Sequence, residues 1–491
     1  MHNFDRKSYS KLCKTCDEIL LSDKANTAVI ANSWLNIIKE HPDFLKKYDV
    51  LLHNISKHIL FGRYLKTVGH FLIIFFGQIL RSFKNTGYWT SSQELKQSDC
   101  LFISHLINKN TLKQSSDSYF YDLPTQLLKQ GLSVKTALID HVGLSSLERD
   151  IFSRNCYDER VILNSSLSFS EEVKLYLSQF KAITCLKKIF RNTDASHTFK
   201  KNTFVYSFAP DTLSSLRAAR QVSKLIAIVK PKYLIVTYEG YAWERLMFNE
   251  ARKYNSKVKC IGYQHAAILQ YQHSIRRDIS KSYNPDIILT AGMISEKILK
   301  KTDSVSRTSV ICFGSGKLKD MGFQKKNDLS VCLVVPEGIV SECLLLFKFS
   351  LLCAKSMTNQ QFIWRLHPSF SFNLLKKYSD IFNELPSNII LSQGSVESDI
   401  KQCDSVLYRG STTVINAINY GLKPIFYQDN DMLSIDPIFQ INTGKFIVNS
   451  VEEFKRAVAN KASLKNKIDL KKFSNNFYSP FNYTVLDKIL R

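Results

Sequence analysis

No apolar run in the 491 residues is long enough to cross a bilayer. The most apolar window, Phe71 to Phe76 extended by Ile79 and Leu80, covers about half of the roughly 20 residues that a spanning helix needs. Acidic side chains are also scarce: 43 Asp plus Glu stand against 67 Lys plus Arg, a net charge of +24. Such a field favours anionic partners, namely nucleic acid, an acidic lipid surface or phosphorylated small molecules. Nucleic acid is set aside because zinc-finger spacing, an RNP-like aromatic signature and a tail of consecutive Lys/Arg are all missing. The pair Cys13 and Cys16 has metal-like spacing, but no second pair completes four zinc ligands, and the 11 cysteines read as reduced core residues. The first 25 residues hold no apolar stretch of the secretory kind, so a cytoplasmic protein is expected.

What is present is an ordinary globular composition, 44% hydrophobic and 22% charged, in a chain long enough for two or three domains of about 100 to 200 residues each. Arg63, Lys66, Arg81 and Lys84 flank the Phe71 to Leu80 window. A helix lying in the cytoplasmic leaflet, held by burial and by acidic lipids, is one reading, and a buried core helix is the other. From Asp99 onward short β-branched and aromatic runs alternate with helical stretches, which predicts parallel α/β layers. Strands are expected at 100–104, 134–139, 233–237, 258–263 and 287–290. A second series is expected near 310–313, 331–335, 362–365, 389–391, 406–408, 424–427 and 446–448. The polar, glycine-bearing stretch 315–328 reads as a connector. The fold class is thus α/β, with two doubly wound Rossmann-like domains and a helical N-terminal extension. The extension occupies 1–97, an acceptor-side domain 98–315, and a donor domain with a C-terminal helix 329–491. Ligands belong in the cleft where the carboxyl ends of the two sheets face each other.

Three constellations fall at predicted strand ends. Arg409-Gly410-Ser411-Thr412-Thr413 joins a strand to a helix start, where unpaired N–H groups and the helix dipole suit a phosphate. Ser and Thr are also ordinary N-caps. Arg365, His367 and Pro368 close an earlier strand, the proline holding His367 extended, so that Arg and His share a face toward a phosphate. Glu239 follows the 233–237 strand beside Gly240 and just before Glu244, where a carboxylate serves as general base for an acceptor hydroxyl. Gln264 and His265 end the next strand at the same edge, and Glu337-Gly338 holds the corresponding place in the second series. A dipole-favoured helix N-terminal acid is the plainer reading of Glu239.

Together these elements resemble the two-domain GT-B glycosyltransferases of bacterial surface polysaccharide synthesis, in particular CMP-sugar-using sialyltransferases and capsule or lipopolysaccharide Kdo transferases. Tyr238-Glu239-Gly240, His367-Pro368 and Ser411-Thr412-Thr413 match, in order, the acidic-acidic-Gly, His-Pro and paired-hydroxyl motifs of the sialyltransferases. Tyr238 replaces the first acid, and Asn416 stands where many UDP- or GDP-sugar enzymes carry a ribose-binding Glu. Gln264-His265 with the His-Pro motif is also similar to capsule Kdo transferases and glycerophosphotransferases.

The resemblance implies transfer of a sugar from a nucleotide-activated donor, CMP-linked by preference, to a surface polysaccharide or lipid-linked glycan. Glu239 and His265 would be catalytic. Arg365, His367, Pro368, Arg409, Gly410, Ser411, Thr412, Thr413, Glu337 and Gly338 would hold the donor, and Gly240, Glu244 and Gln264 would line the acceptor side. Metal and resident cofactor are not expected, the nucleotide-sugar being a co-substrate. An acidic membrane surface is a further expected partner and nucleic acid is not. The alternatives are a sugar-nucleotide 2-epimerase and a non-catalytic scaffold of a polysaccharide assembly complex.

Overall fold

A computed structural model describes residues 5–490 apart from 37–40, 49–50, 52–56, 85–86, 92–93, 115, 156–159, 194, 303–304, 306, 319–321, 323–329, 369 and 430–431. Most of the expected connector at 315–328 therefore lies outside the described residues. Among those described, the strands form two sheets. The first contains β1 (Trp89–Ser91), β2 (Cys100–Leu106), β3 (Val134–Asp140), β4 (Arg160–Leu163), β5 (Tyr233–Thr237), β6 (Lys259–Gln264), β7 (Ile287–Thr290) and β8 (Ser309–Cys312), in the order β1-β4-β3-β2-β5-β6-β7-β8. The second contains β9 (Val331–Val335), β10 (Gln361–Trp364), β11 (Ile389–Leu391), β12 (Ser405–Tyr408), β13 (Lys423–Tyr427) and β14 (Phe446–Val448), in the order β11-β10-β9-β12-β13-β14.

All pairings are parallel except β1 with β4. The two α/β layers bear out the doubly wound reading. Runs such as Val331-Cys-Leu-Val-Val335 are buried throughout because helices cover both faces of a parallel sheet. Strand order reverses between β2 and β5 in the first sheet and between β9 and β12 in the second, and at such a switch the connections leave to opposite sides and open a crevice.

Two details of the expected series change. Val310–Phe313, expected to open the second series, contributes β8, the edge strand of the first sheet, paired with β7. β1 and β4 were not anticipated, since runs of three and four residues carry too little periodicity to stand out. The chain also recrosses at its end. Ser479 N–H donates to Ala291 O at 3.0 Å and Asn482 N–H to Phe313 O at 2.7 Å, and Leu486, Ile489 and Leu490 join Phe102, Ile235 and Phe313 in the first domain's core. The C-terminal helix, Tyr483–Ile489, thus packs on the first layer rather than on the second.

The N-terminal extension is helical and docks on the first domain. Asp5 caps helix Arg6–Leu20 by accepting from Ser8 N–H at 2.7 Å, and the helix buries Leu12, Cys13, Cys16, Ile19 and Leu20. The two cysteines are core residues. Asp17 anchors the helix to the first domain through Arg277 at 2.5 Å and His273 at 2.6 Å. Helix Lys57–Lys84 carries the apolar window and is divided in its packing. Phe71 and Phe75 rest edge-on against Tyr176, whereas Phe61, Leu65, Ile73, Phe76, Leu80 and Phe83 are exposed. Lys66 and Arg81 are exposed beside them, and the side chains at 63 and 84 lie outside the described residues. No helix among the described residues is long and apolar enough to cross a membrane.

Candidate active site

Glu239 leaves the end of β5, at the first sheet's switch point, in a turn built around the next residue. Gly240 has φ +86°, and any Cβ there would overlap the backbone of Ser274. Only glycine allows that approach. Glu244, three residues into the following turn, accepts from the N–H groups of Glu239, Gly240 and Tyr241 at 3.0, 2.7 and 2.8 Å. This reciprocal cap fixes the loop, so Glu244 acts as scaffold rather than as an acceptor-facing group. Burial, with the charge of Glu239 close by, pushes the Glu244 carboxyl well above the usual range.

Glu239 itself is only 7% exposed, and its Oε2 is buried without a hydrogen-bond partner. The other oxygen, Oε1, lies 3.6 Å from His265 Nε2. Tyr119 meets the His265 ring edge-on at 4.6 Å. Burial, followed by the Glu239 charge, raises the Tyr119 phenol to about 12, and the same causes push Tyr241 well above its ordinary value. The phenols therefore stay protonated, which leaves the Glu239 carboxylate and the His265 imidazole as the groups of the cluster able to accept a proton. Gln264 is spent internally: its amide donates to Ala266 O and its Oε1 accepts from Ala291 N–H at 3.3 Å, which removes it from the acceptor side. Tyr238, in the place of the first acid, is fully buried, packed against Phe248 with the Arg245 guanidinium over its ring.

At the second sheet's edge the structure brings Glu337, Gly338, His367 and Gly410 into contact. A side chain at Gly338 would meet His367 Nδ1 at 2.8 Å, and one at Gly410 would overlap the Glu337 carboxylate. His367 and Pro368 are exposed, Ser411 and Thr413 half-buried and Thr412 exposed at the start of helix Thr413–Tyr420. Burial lowers the His367 imidazole, with Glu337 opposing.

Both arginines are diverted. Arg365 Nη1 bonds Asp399 at 2.7 Å, Ser392 at 3.0 Å and Gly394 O at 2.8 Å, so it braces the segment that follows β11 instead of sharing a phosphate with His367. Arg409 is 1% exposed and pairs with Glu342 at 2.7 Å, leaving Nη1 buried without a partner. An arginine directly before a Gly-Ser-Thr turn reads as a phosphate ligand from sequence, but a buried carboxylate from helix Val340–Ser356 claims it.

Several residues of the site were not singled out from sequence. His41, buried in the extension, lies 3.0 Å from Glu337 and 3.7 Å from Glu342, and Ser341 donates to Asp43. The extension thus touches the second domain as well as the first. At the first switch point, His105 Nδ1 and His141 Nε2 are 2.8 Å apart and His105 Nε2 is 3.0 Å from Thr237 Oγ1. His105 directly follows an expected strand and His141 lies two residues past another, a signal that could have found both. Beside them opens a cavity of about 370 Å³ between the extension, which contributes Phe44 and Tyr48, and the first domain, which contributes Tyr241 and Trp243. Among the described residues no group of three or more His, Cys, Asp or Glu side chains is arranged to hold a metal ion.

No protein family matches the chain, and no curated protein sequence does either. Solved structures of similar fold include the glycotransferase of kitacinnamycin (10% identity, TM-score 0.47, covering 81% of this chain and 100% of that one). Others are the glycosyltransferase SnogD from Streptomyces nogalater (13%, 0.43, 81% and 100%) and the UDP-GlcNAc 2-epimerase from Neisseria meningitidis bound to UDP-GlcNAc (13%, 0.45, 80% and 99%). Likenesses of this size assign no donor, acceptor or reaction to this chain.

Proposed function

We propose that the protein is a glycosyltransferase that moves a sugar from a nucleotide-activated donor, CMP-linked by preference, to a hydroxyl of a surface polysaccharide or lipid-linked glycan. The observation that carries this reading is Glu239: a carboxylate at the first sheet's switch point, with one oxygen buried and unpartnered, lies beside His265 and two protonated phenols. Leaving a carboxylate oxygen unbonded costs stability, and such a cost is met where the oxygen has work to do. Glu239 accepts the acceptor's proton as its oxygen attacks the anomeric carbon, and His265 orients the carboxylate. The leaving phosphate is met by the N–H groups and hydroxyls of Ser411, Thr412 and Thr413 at the start of their helix, with His367 alongside. No resident metal or cofactor takes part in this scheme.

The exposed face of helix Lys57–Lys84, with Lys66 and Arg81 beside it in a chain of net charge +24, favours work at the inner, acidic face of the cell membrane. Calorimetry with CMP, CDP, UDP and GDP on the intact chain tests the donor. CMP is expected to bind most tightly, and failure of all four to bind overturns the assignment.

A further inference from the structure

We propose that the cavity between the N-terminal extension and the first sheet is a binding site for an uncharged ring bearing a hydroxyl group, the shared chemistry of a neutral sugar residue and an aryl alcohol. The idea rests on the transferase reading only in naming this ligand the acceptor. The cavity measures about 370 Å³, enough for one or two rings. Phe44, Tyr48, Tyr241 and Trp243 give it aromatic walls, and ring faces stack on such walls. Its polar groups are mostly neutral hydrogen-bonders, among them Ser33, Ser214 and Ser215. Although the chain is strongly basic, no Lys or Arg is among the described residues lining the cavity, and Asp211 is the one carboxylate there. Among the described lining residues, a carboxylated or phosphorylated ring would meet the Asp211 carboxylate with no Lys or Arg beside it.

The polar end is the His105–His141 pair. Burial, helped by the neighbouring imidazole, lowers His105 to about 3, and burial lowers His141 against the pull of Asp140. Both rings are therefore neutral at pH 7; His105 spends both nitrogens on His141 and Thr237, which leaves His141, through Nδ1, to accept from or donate to a ligand hydroxyl. The cavity also lies next to both edges of the cleft. Tyr241 follows Glu239 by two residues, and Phe44 stands on the short helix Pro42–Leu45 whose cap, His41, pairs with Glu337 at 3.0 Å. The extension thereby gains a role: it roofs the site and ties that roof to the second domain.

Binding of 4-nitrophenyl β-glucoside and of the equally shaped but charged 4-nitrophenyl β-glucuronide is measured on the full chain, with CMP titrated into the same sample. The glucoside is expected to bind at least about tenfold more tightly. Phe44→Ala, at an exposed position that leaves the core intact, and Trp243→Ala should each weaken it by about tenfold. Ser214→Lys should shift preference toward the glucuronide. Competition by methyl β-glucoside or by 4-nitrophenol identifies which ring occupies the site, and either result supports it. Equal or tighter glucuronide binding, competition by neither ring, or indifference to both aromatic substitutions overturns the proposal. Loss of CMP binding with the glucoside retained counts against the donor assignment instead.

Discussion

The two switch points have the same topology and differ in how far their charged groups are paired, although Arg409 Nη1 at the second is also buried without a partner. At the first, Glu239 keeps a buried oxygen unpaired and a cavity stands open beside it. At the second, the charged groups are mostly paired within the protein: Arg365 with Asp399, Arg409 with Glu342, and Glu337 with His41. Strand order alone thus marks where a ligand can bind. Whether the charges there meet the ligand or meet each other depends on residues from distant segments. On the proposed function, the first edge supplies the base and the second takes the phosphate largely through backbone N–H groups, hydroxyls and His367.

The largest effect should come from the first edge. Glu239→Gln preserves shape but cannot accept a proton, so turnover should fall by about 10² to 10⁴ with nucleotide affinity nearly unchanged. Running Glu337→Gln beside it breaks the comparison if it is wrong. A fully active Glu239→Gln with a dead Glu337→Gln would move the base to the second wall. Next in size is stability at the second edge. Arg409→Met strands Glu342 in a buried site, which typically costs about 3 to 5 kcal/mol, read as a lowered midpoint in urea. Were Arg409 a phosphate ligand instead, affinity for CMP would fall while the midpoint held.

Nearly all the strands and the Glu239 turn were legible in the sequence, because parallel strands read as apolar runs and glycine marks the turn; the strand order, and with it the two switch points, came only from the structure. The partners of the charged residues were not legible either. His41 and Glu337 are some 300 positions apart, and Arg365 meets an aspartate on the helix Val396–Lys401, contacts that no local period encodes. The internal hydrogen bonds of Glu244 and Gln264 were hidden for a related reason: polar residues at a strand end look alike whether they face a cleft or cap the backbone.

Acid should act through the first edge. In the folded chain His105 takes up a proton only near pH 3, whereas in the unfolded chain it does so near its ordinary 6.5. The unfolded state therefore binds more protons between those values, and the stability present above about pH 6.5 is lost as pH falls toward 3. His105→Gln should flatten the thermal midpoint against pH across that window, while His367→Gln, at an exposed position, should flatten it less. Donor contacts come next: His367→Ala and Ser411→Ala each delete a contact to charged phosphate worth roughly 1.5 to 3 kcal/mol. CMP affinity unchanged in both would leave the second edge without a donor role.

The smallest effect concerns the extension, whose long helix lies against the first domain. Each basic side chain near an acidic membrane surface contributes about 1 kcal/mol, an attraction that salt removes within a Debye length of roughly 8 to 10 Å. The chain should therefore sediment with phosphatidylserine-containing vesicles at low salt and be released as salt rises. Lys66→Gln with Arg81→Gln should lower the salt needed for release. Ile73→Ser and Phe76→Ser, on the exposed face, should weaken binding at every ionic strength, since they remove apolar burial rather than charge. Phe75, packed on Tyr176, serves as the internal control. Replacing it by Leu should leave vesicle binding unchanged, because that side chain faces the protein. Equal binding to neutral vesicles at all salt concentrations would remove the electrostatic part, and loss of binding on Phe75→Leu but not on Phe76→Ser would assign contact to the wrong face of the helix.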